Sequence, residues 1–394
     1  MQTHRGNDQY DGFRLEPWID WLGGFVTKRP GLLRGIGDFE TRRLGDTLDG
    51  IEIRAPIFVC GLARSGSTVL LECLAEHPDT ANHCYRDYPG VLAPILWDRI
   101  SSRLYADSAD AVERAHGDGI TVTPESPEAM EEMIWMAFHP DAHDPGRDNS
   151  IGRGGTTRDF AQFYRDHIRK LLWLRGGERY LSKGNYNLAR LGALIGLFPD
   201  ARFIVPVRDP VAHIASLQRQ HALFCAAETA YPSALRYMQR VGHFEFGLDR
   251  RPLNLGNTEV TRDIQRLWRE GREVEGLSLY WADVHEFIAD SLEDDPALRN
   301  ATLLVPFEEL CQRPVQMLAG IFGHCGLSAE ETWMKRMALR IRAPHYYRAE
   351  FEGMEIETIR RVTALATRRL GYRDGSLAGS AKAPAVGSRA GFAR

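Results

Sequence analysis

Residues 57–71 read IFVCGLARSGSTVLL, an apolar strand-like run that meets a glycine-bearing turn and passes at once into an apolar helix-like run. This is the outline of a phosphate-binding loop, in which backbone N–H groups at a helix start face an anion. A nucleoside-triphosphate loop reads G-x-x-x-x-G-K-[ST]. Here Gly61 and Gly66 keep the glycine spacing, while Ser67 stands where the lysine belongs. In such loops the lysine, together with Mg²⁺, offsets the charge of a β,γ-pyrophosphate, so without it a triphosphate is poorly held. This chain instead puts a cation earlier in the turn, Arg64, and follows it with the hydroxyls of Ser67 and Thr68. One phosphate carrying a less charged appendage suits that set better.

The chain of 394 residues is long enough for one large domain or two ordinary ones. Apolar residues at 43% and charged residues at 26% are those of a soluble globular protein rather than a disordered one. A formal net charge of −4 and a pI near 6.4 argue against a nucleic-acid or anionic-membrane partner, so any basic site must be local. Apolar runs stay short of the roughly 18 residues of a membrane span, and the first residues lack the apolar segment of a signal peptide, which leads us to expect a cytoplasmic location. The six cysteines are scattered without C-x-x-C or zinc-ligand spacing and read as reduced core thiols.

Four apolar runs, at 57–60, 180–182, 202–207 and 302–306, have the length of buried strands, and a helical pattern follows each. Alternation of this kind predicts an α/β fold, a three-layer α/β/α sandwich around a central parallel sheet. Between about 85 and 178 the alternation is lost in a polar stretch rich in Gly, His and acidic residues; an insertion of this length is expected to form a lid or a wall of the acceptor site. A mostly helical segment at about 258–292 is expected to pack over the sheet. Residues 1–50 read as a helical extension, 51–374 as the main domain, and 375–394, small, polar and Pro/Gly-rich, as a disordered tail.

The turn RSGST at 64–68 resembles the first signature of the sulfotransferases that use 3′-phosphoadenosine 5′-phosphosulfate (PAPS), a strand, a (K/R)-S-G-(S/T)-T turn and a helix. A phosphosulfate is the kind of ligand that the lysine-free loop suits. The wider stretch FVCGLARSGSTVLLECLAEHP is most similar to the branch that includes protein-tyrosine sulfotransferases and many bacterial enzymes. A second signature of the family is an Arg ending a later strand with a Ser two helical turns on, which together hold the nucleotide 3′-phosphate. FIVPVRDPVAHIASLQRQH supplies Arg208 and Ser216 at that spacing. An arginine fork matches a phosphate dianion, and Asp209 with Pro210 reads as a cap and first turn of the helix behind it. The resemblance implies a P-loop-like fold over about 55–372. It implies that Arg64, Ser65, Gly66, Ser67 and Thr68 hold the 5′-phosphosulfate, and that Arg340 and Tyr347, in LRIRAPHYYRAEF, belong to a segment closing over the nucleotide. Arg219, one turn beyond Ser216, is a further candidate cation.

Sulfuryl transfer is an in-line displacement that needs a base at the acceptor hydroxyl, positive charge at the bridging oxygen and exclusion of water. Arg64 and Lys183 are the expected cations, since the family places a lysine after the strand corresponding to RYLSKGNYN. For the base, HCYRDYPG offers Asp87 first and His83 second; Tyr85 falls where the tyrosine enzymes carry their glutamate. No metal is expected, because the loop already stabilises the leaving phosphate and no His/carboxylate cluster stands out. The insertion adds His116, Asp118, Glu125 and Glu128, and the segment 242–254 adds Arg250 and Arg251, as candidate acceptor contacts. The acceptor itself is left open among small hydroxyl-bearing metabolites, carbohydrates and lipids, with adenosine 3′,5′-bisphosphate as the other product. Two rival readings remain beside this one: a nucleotide kinase or NTPase with a degenerate loop, and a nucleotide-binding protein without catalysis.

Overall fold

The computed structural model describes residues 8–105, 111–114, 116, 120–342, 351–373 and 376–377. Five strands run parallel: β1 (Ile57–Val59), β2 (Thr80–Ala81), β3 (Arg179–Lys183), β4 (Arg202–Val207) and β5 (Thr302–Pro306), in the order β2-β3-β1-β4-β5. All four strands expected from the sequence are present. The fifth, β2, is two residues long at the sheet edge, too short to leave a pattern of its own.

Strand periodicity explains the layering. Ile57 and Val59 of β1 point to one face with Leu181, Ile204 and Val305, where Leu70, Leu74, Leu318, Ile321 and Phe322 pack against them. Phe58 points to the other face with Tyr180 and Phe203, where its ring stacks on Phe203 at 5.7 Å and meets Tyr180 edge-on at 6.1 Å. Because each strand is buried on both faces, the sheet needs helices on both sides, and the three-layer sandwich follows. The helices Ser67–Ala75 and Pro314–Cys325 cover one face; Arg158–Arg175, Pro210–Ala230 and Glu273–Asp294 supply buried residues to the other.

The region 85–178 is not all insertion. Its last part is the helix Arg158–Arg175, capped by Thr157 and amphipathic, whose Phe160, Tyr164, Ile168 and Leu171 belong to the sheet core. The extension before residue 50 is helical, at Pro17–Thr27 and Pro30–Leu44, and is tied to the body by buried polar contacts. Lys170 donates to the Gly37 carbonyl at 2.8 Å and pairs with Glu40 at 3.4 Å, and Arg240 pairs with Asp20 at 2.7 Å. At the other end Ser376–Leu377 pairs antiparallel with Tyr372–Arg373, and the expected tail beyond residue 377 lies outside the described residues. Among the described residues no helix is long and apolar enough to cross a membrane.

Glu132, buried, is held between Arg190, which donates at 2.7 Å to both carboxylate oxygens, and His143 at 2.6 Å. Burial alone raises its carboxyl, but the charges of Arg190 and His143 outweigh that and hold it at about 2. Replacing Arg190 by Met strands this carboxylate and is expected to destabilise the fold by about 3–5 kcal/mol in urea unfolding; Arg190→Met with Glu132→Gln in the same chain should recover most of the loss.

Candidate active site

The three central strands end at one edge, where β1 turns into the loop, β3 ends on Lys183 and β4 delivers Arg208. Register makes this so: Val59 pairs with Lys183 and with Ile204, so the residues that leave the sheet after β1 face those ending β3 and β4. Ligands of open α/β sheets sit at this carboxyl edge.

The loop itself is strained in two places. Arg64 has φ +71, a left-handed conformation rare outside glycine, and Gly66 has φ +102. A side chain at Gly66 would also collide with Phe307, whose Cδ2 would lie 2.4 Å from the added Cβ. What keeps the turn in place is a set of contacts from Arg208, at the exit of β4, and from the helix that follows, Pro210–Ala230. Arg208 Nη1 donates to the Arg64 carbonyl at 3.0 Å, and Arg64 Nε donates to Ser216 Oγ at 3.3 Å. His213 Nε2 donates to the Ala63 carbonyl at 2.8 Å. The other ring nitrogen, Nδ1, accepts from Trp281 Nε1 at 3.1 Å, which settles the tautomer. Burial, with the nearby Arg208, pushes the His213 pKa well down, in keeping with a neutral ring. Asp209 caps the helix by accepting from Ala212 N–H at 3.0 Å, so Asp209 serves the helix and Arg208 serves the loop.

These groups open on a cavity of about 1510 Å³. Arg64, Gly66, Ser67, Thr68, Lys183, Arg208 and Arg340 line it. Ser65 and Ser216 are buried and lie outside the lining. Arg340 also pairs with Glu76. Tyr347 and Asp118 lie outside the described residues. Burial lowers the pKa of the Lys183 ammonium; Glu128 and Glu245 oppose the shift, and Arg114 and Arg64 reinforce it. Among the described residues no group of three or more His, Cys, Asp or Glu side chains is placed to hold a metal ion.

The two candidate bases do not reach this cavity. Asp87 and His83 are 4% and 2% exposed and absent from its lining, so neither meets an acceptor hydroxyl there. His83 Nδ1 lies 3.0 Å from Asp87 Oδ2, Arg175 donates to Asp87 Oδ1 at 2.6 Å, and the Cys84 N–H adds a bond at 3.1 Å. On its far side His83 meets His167 at 3.0 Å. Burial by itself raises the Asp87 carboxyl, yet the hydrogen bond and charge of His83, the charge of Arg175 and the Cys84 N–H hold it well below the ordinary carboxylate value. This is a structural ion-pair network. Its neighbour Tyr85 does line the cavity, where burial and the charge of Glu128, 43 residues further on, raise its phenol pKa. The insertion folds back antiparallel on 83–86: Cys84 bridges Pro127, Tyr85 N–H donates to Ser126 O at 3.1 Å, and Glu128 N–H donates to His83 O at 2.9 Å. Glu128 therefore lines the cavity beside Tyr85, within electrostatic reach of Lys183.

His116 lines the cavity as well, and burial with Arg114, His243, Arg64 and Lys183 around it drives its pKa well down. Glu125 is spent on Arg86 at 2.6 Å. Arg250 pairs with Glu273 while lying over Trp268, and Arg251 pairs with Asp249 at 2.8 Å; neither lines the cavity, and nor does Arg219.

A model of the sulfotransferase family matches residues 56–245. No curated protein sequence matches the chain. Among solved structures it is similar to sulfotransferase STF1 from Mycobacterium tuberculosis H37Rv, at 16% identity and a TM-score of 0.49, covering 91% of this chain and 89% of that one. It is similar also to sulfotransferase STF9 from Mycobacterium avium, at 15% identity and a TM-score of 0.48 over 84% and 80%. A sulfotransferase from Alicyclobacillus acidocaldarius follows at 16% and 0.39 over 81% and 95%. Likeness this distant adds nothing to the site, which stands on its own contacts. The tyrosine-sulfating branch is not singled out by any of these.

Asp87→Asn is expected to lower stability and leave adenosine 3′,5′-bisphosphate affinity in place. A depressed carboxylate stabilises the fold above its unfolded pKa of about 3.9, and that contribution fades as pH falls below it. Thermal melts from pH 7 to 3 should therefore show the wild type losing its advantage over Asp87→Asn as the solution is acidified. A constant difference across that range contradicts the assignment.

Proposed function

The chain belongs to the sulfotransferase family through residues 56–245, and from that premise we propose that it moves a sulfuryl group from PAPS to a hydroxyl acceptor. The observation that carries this reading is the meeting of two distant segments: the guanidinium of Arg64 bonds Ser216, and that of Arg208 bonds the Arg64 carbonyl, so both phosphate signatures belong to one site. In it, the amides of 65–68 and the start of the helix Ser67–Ala75 receive the 5′-phosphosulfate and Arg208 receives the 3′-phosphate, joined by the buried Ser216 hydroxyl once Arg64 gives up its bond to it. The missing loop lysine weakens the case for a triphosphate, and hence for the kinase reading.

For the chemistry we assign the base to Glu128 rather than Asp87 or His83. The acceptor O–H gives its proton to the Glu128 carboxylate as its oxygen bonds sulfur; the bond from sulfur to the bridging oxygen breaks, and its electrons leave on adenosine 3′,5′-bisphosphate. Arg64 and Lys183 offset the charge that builds on the bridging oxygen. His116 is the weaker candidate, because the cations around it oppose the charged imidazolium it would become. This reading also rejects a merely binding protein, since base and cations share one cavity.

Arg208→Ala is expected to weaken adenosine 3′,5′-bisphosphate binding about ten- to a hundredfold by calorimetry, with some loss of melting temperature because the Arg64 carbonyl also loses its partner; unchanged affinity removes the assignment. Glu128→Gln should lower kcat about 10²- to 10⁴-fold with donor affinity retained. Since Lys183 acts protonated and its pKa lies below the ordinary 10.5, kcat/KM should fall on the alkaline side below that value. Lys183→Arg should move this limb to higher pH.

A further inference from the structure

Besides the residues of the sheet edge, the same cavity is lined by an apolar and aromatic group from elsewhere in the fold. One wall comes from the segment preceding and opening the helix Pro17–Thr27, through Leu15 and Ile19. The facing wall comes from the helix Pro232–Val241, through Tyr237, Met238 and Val241, with Tyr88 between them. Tyr88 and Tyr237 meet edge-on at 4.9 Å. The charged residues of the first wall, Arg14 and Glu16, are exposed. Glu128 lines the same cavity as Lys183, Tyr85 and Tyr237, and its charge acts on all three.

We infer that the acceptor is a hydroxyl on an extended apolar or aromatic body, with the hydroxyl at Glu128 and the body lying between the N-terminal segment and the helix Pro232–Val241. A polyol placed there would lose water along walls where Leu15, Ile19, Met238 and Val241 return no hydrogen bonds and only the Tyr88 and Tyr237 hydroxyls can, whereas a hydrocarbon or phenyl body loses nothing. This inference rests on the function proposed above for the position of the hydroxyl. It also makes the N-terminal extension part of the acceptor site and not an appendage, because Leu15 and Ile19 form one side of it. Two sources share this chemistry, a dissolved alkyl or aryl alcohol and an alcohol-bearing lipid held in a bilayer.

The test reads binding, not turnover. With adenosine 3′,5′-bisphosphate saturating, primary alcohols from butanol to decanol, 4-alkylphenols and glucose are titrated by calorimetry, and a fatty alcohol held in phosphatidylcholine vesicles is tested by co-flotation. Affinity is expected to rise roughly fourfold per added methylene, the equivalent of about 0.8 kcal/mol each. Ile19→Asp and Val241→Asp, at half-buried positions, should each remove most of that rise while the bisphosphate Kd stays unchanged. Binding in the dissolved arm or in the vesicle arm upholds the inference and names the source. Affinity flat with chain length, or glucose bound more tightly than the alkyl alcohols, overturns it. Failure of the bisphosphate itself to bind contradicts the donor assignment instead, and the alcohol series, run without it, still decides the apolar lobe.

Discussion

The site depends on one backbone turn that this sequence does not favour locally. Arg64 occupies the left-handed region, where a side chain costs on the order of 1–3 kcal/mol, and the turn persists because the exit of β4 and the helix after it grip it at two consecutive carbonyls. Arg208 binds the carbonyl of Arg64, and His213 binds that of Ala63. The same helix supplies Ser216 to the Arg64 side chain. The shape of the anion-binding loop is thus set by residues some 150 positions away in the chain, and those residues are brought there by nothing more than adjacent parallel strands.

This arrangement makes one strand pair do two jobs. The apolar alternation of β1 and β4 builds the cores on both faces, and their ends then aim the loop and the arginine at a common point. Buttressing runs deeper: Trp281, fully buried on the helix Glu273–Asp294, holds His213 in the tautomer that donates to the loop. A neutral imidazole clamped between an indole and a carbonyl has no freedom to titrate or rotate, which suits a supporting group and not a catalytic one.

Much of this was readable in the residues alone, for physical reasons that also mark the limits. Strands buried on both faces must be apolar throughout, so 57–60, 180–182, 202–207 and 302–306 announced themselves; β2, two residues at an edge, could not. The loop and the Arg208/Ser216 pair are local patterns with fixed spacing. Asp87 stands first among the bases in sequence because a carboxylate four residues from a histidine looks the same whether it faces a cleft or an ion pair, and here it meets His83 and the half-buried Arg175. Glu128 was noted only as one of several polar residues on an insertion. Its partnership with Tyr85 depends on an antiparallel return across about 40 residues, and no periodicity encodes that. Likewise nothing local in the sequence sets Leu15 and Ile19 apart, and only the packing of the N-terminal segment reveals the cavity wall.

The central claim is that the turn at 64–68 and the pair Arg208/Ser216 hold opposite ends of one nucleotide. A crystal structure of the chain with adenosine 3′,5′-bisphosphate tests it most directly. The account predicts the 5′-phosphate on the amides of 65–68 and the 3′-phosphate within hydrogen-bonding distance of both Arg208 and Ser216. A 3′-phosphate bound away from those two side chains, or a nucleotide lodged outside the carboxyl edge of β1, β3 and β4, would contradict it.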